Sequence, residues 1–187
     1  MEGPEVPTEH LIEHIHEHAH GAKVRWVMGV ALTSALLAAL AAVSALMAGH
    51  HVNEAMIDQI RSSDQWALYQ AKGVKSAVLG SKLELLEGLG KEVKEKDKEK
   101  MTAYGEEQKE IMAKAKEMEH SSEHHLKTHV VFAAAVTMYQ VAIAVGAISV
   151  LTNKRKFWTV SLGFGALGLV AMIVAILVSV GTIRPFF

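Results

Sequence analysis

The stretch VVFAAAVTMYQVAIAVGAISVLTN-KRK-FWTVSLGFGALGLVAMIVAILVSVGTI, residues 130–183, decides the fold. Two runs without Asp, Glu, Lys or Arg, of 24 and 27 residues, meet at a three-residue basic link. About 20 apolar residues cross a bilayer core as a helix. A third such run, WVMGVALTSALLAALAAVSALMAG, occupies residues 26–49. With 50% hydrophobic and only 6% aromatic residues in 187, the composition predicts that lipid is the solvent for much of the chain. The predicted class is an all-α membrane protein. Three transmembrane helices are expected, with a long antiparallel, coiled-coil-like helical hairpin between the first and second.

Working outward, the expected divisions are a cytoplasmic His/Glu-rich amphipathic segment (1–22) and a first transmembrane helix (23–49). A periplasmic helical hairpin (50–128), second and third transmembrane helices (129–153 and 154–183) and a short tail (184–187) follow. The first run is longer than a signal-peptide core and follows an acidic, His-rich flank, so it reads as a retained anchor. Lys23 and Arg25 precede the first span, and Lys154, Arg155 and Lys156 link the other two. Three spans put both clusters on one side, which the positive-inside rule makes cytoplasmic, with Trp26 and Trp158 at headgroup depth. Residues 50–128 and the tail then lie outside.

Residues 50–128 contain no proline and carry 13 basic and 15 acidic side chains, in a background of good helix formers. The strongest breaker is Gly88-Leu89-Gly90, with Asp97 and Gly105 as competing turn sites. A turn at 88–90 leaves two arms, each projecting roughly 57 Å as a helix. A seam of three-four spacing runs down the second arm through Tyr104, Gln108, Ile111, Ala115, Met118, Ser122, His125, His129, Phe132 and Val136. A weaker one rises through His50, Asn53, Ile57, Ile60, Asp64, Ala67, Ala71, Val74, Val78 and Leu85. Such spacing is a coiled-coil pattern.

An antiparallel pairing gathers His50, His51, His124, His125 and His129 near one end of the spans. Imidazoles a helical turn apart suit a divalent transition metal such as zinc; the alternative is a hydrogen-bonded polar layer between lipid and water. The N-terminal run repeats the theme with His10, His14 and His18 on one row, either a metal-binding row or the polar face of an amphipathic helix. Trp66, Tyr69 and Gln70, with Asp64 nearby, suggest an interface with another copy, packing within the hairpin or a ligand site. Gln140 is the most polar residue deep in a span, where an amide usually bonds between helices.

The segments GHHVNEAMIDQIRSSDQWALYQAKGVK (49–75) and FAAAVTMYQVAIAVGAISVLTNKRKFW (132–158), with the His-rich acidic N-terminus, resemble an uncharacterised bacterial family. It comprises three-span membrane proteins grouped as domain of unknown function 4337. The resemblance implies the topology above in a bacterial inner membrane and supplies no activity.

Several classes are disfavoured. Lys plus Arg total 19 against 20 for Asp plus Glu, so no charge excess points to nucleic acid. There is no cysteine, hence no thiolate chemistry. No phosphate-binding loop, nucleophile elbow or HExxH helix occurs, and an enzyme is not expected. The second and third spans carry no ionisable proton relay. The leading expectation is a homo-oligomeric membrane-anchored scaffold or interaction module. The alternatives are an oligomeric ion or metal channel with a histidine ring at the outer face, and a metal-responsive sensor. The expected partners are the lipid bilayer and further copies of the chain.

Overall fold

The computed structural model describes residues 25–181. Among them the chain is all-helical, in three elements: α1 (Arg25–Gly88), α2 (Glu95–Leu151) and α3 (Arg155–Ser179). Each is long and apolar enough over one window to cross a membrane. Both connections end in left-handed residues. After α1, Gly90 takes φ +68°, while the N–H groups of Gly90 and Lys91 bond the carbonyls of Glu87 and Leu86. After α2, Asn153 takes φ +57°, and the N–H groups of Asn153 and Lys154 bond Val150 and Ser149. These are Schellman caps, which satisfy carbonyls that a helix end would otherwise leave open. α2 runs through Gly105 unbroken, and its first turn carries Glu95 and Asp97, acids that suit the positive end of a helix dipole.

The described residues fall into two compact units: those up to Val52 with those from Leu126 onward, and Asn53–His125. In the first unit, small residues face inward. Ala31, Ser34, Ala48, Ala135, Ala142 and Ala175 are buried. Leu32, Leu36, Leu46, Leu167, Val170 and Ile173 are exposed. Small contact residues let helices approach closely where lipid removes the hydrophobic drive to associate. Tyr139, Phe132 and Ile143 supply the bulk, each essentially fully buried. Their neighbours make room: a Cβ on Gly168 would lie 2.7 Å from the Tyr139 ring, and one on Gly165 would lie 2.9 Å from Leu37. Near the α2–α3 link, Trp158 Nε1 donates to Thr33 Oγ1 at 3.3 Å, and Ser161 Oγ donates to the Ala142 carbonyl at 2.6 Å.

In the second unit, hydrogen bonds pair α1 with α2. Ser122 Oγ donates to the Ala55 carbonyl at 2.8 Å, and Ser121 Oγ to Asp58 at 2.7 Å. Ser62 Oγ reaches the Ala115 carbonyl at 3.0 Å, and Gln108 Nε2 the Tyr69 carbonyl at 3.3 Å. Lys82 meets Asp97 at 2.6 Å. Partner numbers fall on α2 as they rise on α1. The α2 face is the expected row, with Ile111, Ala115 and Ser122 buried.

The α1 face differs from expectation. Asn53, Ile57, Ile60, Asp64, Ala67, Ala71, Val74, Val78 and Leu85 are all exposed. The inward row is Ala55, Ser62, Tyr69 and Ser76, with Asp58, Gln65, Lys72 and Leu79 interleaved; of these, Ala55 and Ser62 are buried and the others half-buried. The cause is the contact itself. Serine hydroxyls bonded to facing carbonyls need close backbones, and alanine and serine permit that where isoleucine and valine do not.

The tight seat of Gly168 yields a test. Gly168→Ala drives a methyl group into the Tyr139 ring and costs about 1–3 kcal/mol, read as a lower Tm in detergent. Gly163, with nothing within 4 Å of an added Cβ, is the control, and Gly163→Ala leaves Tm unchanged or higher.

Candidate functional site

Three histidines stand in the first unit at the end of the apolar helices. His51 is only 6% exposed, and its ring stacks on Phe132 at 5.7 Å with an interplanar angle of 14°. Its Nε2 lies 3.3 Å from Ser179 Oγ. His50, next along α1, is exposed, its ring centroid 5.4 Å from that of His51. His129 Nδ1 lies 2.9 Å from the Ala48 carbonyl. A carbonyl only accepts, so in this contact Nδ1 is the donor. The layer therefore ties α1 to α2 through His129, and α1 to both α2 and α3 through His51. These are contacts that a polar belt makes when water is scarce.

His124 and His125 belong to the second unit, half-buried, with ring centroids 6.1 Å apart. Among the described residues, no three His, Cys, Asp or Glu side chains gather into a group able to hold a metal ion. His10, His14 and His18 lie outside the described residues.

The aromatic pair singled out by sequence sits in the second unit. Trp66 and Tyr69 meet edge to face, with centroids 5.6 Å apart. Both are half-buried, and the Tyr69 carbonyl accepts from Gln108. Asp64 and Gln70 are exposed. Gln140, in the apolar half of α2, is also exposed. The residue that sequence reasoning left off the seam is Ser62, whose hydroxyl bonds the Ala115 carbonyl; Ser122 lies on the expected row. Its signal is a seven-residue repeat through Ala55, Ser62, Tyr69 and Ser76, small at every position but Tyr69, which hydropathy does not register.

Toward the far end of the second unit, charge replaces apolar contact. Lys72 pairs with Glu107 and stands 5.2 Å above the Tyr104 ring. Lys75, Lys82 and Lys100 border an open groove floored by Val74, Val78 and Leu79. The Lys82 ammonium, hydrogen-bonded to Asp97, holds that carboxyl below its usual 3.8 against an opposing desolvation, with the Lys82, Lys100 and Lys94 charges adding to the lowering. A depressed folded-state pKa means stability that is complete above the unfolded value and lost as pH falls through the folded one. Asp97→Asn should therefore lower Tm at pH 7 and leave it nearly equal to wild type once pH drops well below 3.8. A Tm difference that stays constant across that range would contradict the pairing.

No curated protein and no solved structure is recognisably similar to the chain. A family model described as a domain of unknown function, DUF4337, matches residues 26–178, and the chain belongs to that family.

Proposed function

We propose that this chain is a homo-oligomeric bacterial inner-membrane scaffold or interaction module that works by binding rather than by catalysis. Its three apolar helices cross the bilayer with the N-terminus and the 152–154 link in the cytoplasm. Residues 50–128 form an antiparallel helical hairpin in the periplasm. The descending order of hydrogen-bond partners from Ala55–Ser122 to Lys82–Asp97 supports the hairpin. The basic clusters at Lys23/Arg25 and Lys154–Lys156 support the orientation.

One observation carries the oligomer. The outward faces of α1 and α3 present Leu32, Leu36, Leu167 and Val170, as a helix facing lipid should. The outward face of α2 carries Val130, Ile148 and Leu151 at its ends, and between them runs instead through Ala134, Thr137, Gln140 and Ala144. A primary amide facing hydrocarbon is costly unless bonded, and small neighbours allow another helix close enough to bond it. A second copy supplies both the close helix and the matching amide. In Gln140→Leu the lost amide pair is worth about 1 kcal/mol. Mass photometry in nanodiscs should show wild type as an oligomer and Gln140→Leu shifted toward the monomer at the same concentration. A monodisperse wild-type monomer, or an oligomer indifferent to the substitution, would overturn the reading.

A further inference from the structure

We infer that the exposed stripe on α1 between Asn53 and Leu85 is a second coiled-coil seam whose occupant is the same stripe of another copy, parallel and in register. The inference rests on the homo-oligomer reading and assigns it a surface outside the apolar helices.

The stripe keeps strict three-four spacing through Ile57, Ile60, Val74, Val78 and, seven residues on, Leu85, which are 40 to 66% exposed. Ala67 and Ala71 stand between, also exposed. The occupied row, Ala55 to Leu79, has the same repeat, two positions out of phase. On a straight helix a seven-residue stripe drifts about 20° per heptad, which over more than four heptads carries it far off any flat surface, a membrane face included. A partner able to follow it winds with the same supercoil and is itself a heptad helix.

The identity of that helix follows from the anchor. Copies held by the same three apolar helices share one orientation and one depth, so each stripe residue meets its own counterpart. Ile57 and Val78 at one heptad position and Ile60 and Val74 at the other are all β-branched, a pattern that in parallel coils favours three or four strands over two. Asn53, at the alternate position, meets another Asn53, a polar layer of the kind that fixes register in parallel coils. The flanks agree: parallel pairing sets Arg61 beside Met56, Lys75 beside Gln70 and Lys82 beside Ala77, so no like charges face one another at the flanking positions. Asp64 meets its own counterpart and weakens the association, which keeps it reversible.

The chain has no cysteine, so single substitutions report contact without background. Full-length Ile60→Cys and Val74→Cys in nanodiscs should form covalent dimers under mild oxidation, since identical positions touch only in a parallel, in-register seam. Gln59→Cys, exposed one position away, should not, and Asp64→Asn introduced with Val74→Cys should raise the dimer yield. The reduced proteins, weighed by mass photometry with helicity confirmed by circular dichroism, separate the failures. An oligomer whose Ile60→Cys and Val74→Cys cross-link no better than Gln59→Cys overturns this seam and leaves the scaffold reading standing. A monomer overturns both.

Discussion

Within hydrocarbon no water is present to bond a peptide group, so each N–H and C=O must find its partner inside the helix. The rest of the architecture follows from that constraint. In the proposed membrane setting it accounts for the uninterrupted helices through residues 26–49, 130–151 and 157–179; among the described residues irregular backbone falls at the two links, where Gly90 and Asn153 close Schellman caps, and after α3 at residues 180–181. It also inverts the usual packing logic. With lipid outside, as proposed, large apolar side chains gain little by turning inward, and alanine, serine and glycine take many of the contacts. Gly168 beneath the Tyr139 ring and Ser161 on the Ala142 carbonyl are the result.

The second unit, which the proposed arrangement places in water, holds together by other means. Its contacts near Val52 and Leu126 are serine hydroxyls on facing carbonyls, and near the Gly90 turn they become Lys–Glu and Lys–Asp pairs. Exposed ion pairs contribute little each, so the charged end is held more weakly than the serine-bonded end. A rod that is firm at one end and weaker at the other suits a part whose binding surface runs along its side. The proposed stripe from Ile57 to Leu85 lies there.

Much of this was legible in the residues, and the failures are informative. Three charge-free runs announced three helices because length and hydropathy report the lipid constraint directly. The α2 row from Tyr104 to Phe132 was legible because its apolar members Ile111, Ala115 and Phe132 are buried and Tyr104 and Met118 half-buried. On α1 that identity fails: the apolar stripe through Ile60 and Val74 faces outward, while Ala55 and Ser62 face α2. Hydropathy picks the greasiest face, whereas backbone approach picks the smallest. The histidines were picked out by type, but their partners were not. Ala48 lies 81 residues from His129, and Ser179 lies 128 from His51, separations at which sequence spacing carries no information.

The proposed arrangement in the membrane is tested most directly by which links face which compartment. With no native cysteine, Lys94→Cys and Asn153→Cys can be labelled singly in intact spheroplasts with a membrane-impermeant maleimide. The account predicts that Lys94→Cys reacts at once, while Asn153→Cys reacts only after lysis. The reverse pattern, or equal reactivity of both in intact cells, would contradict it.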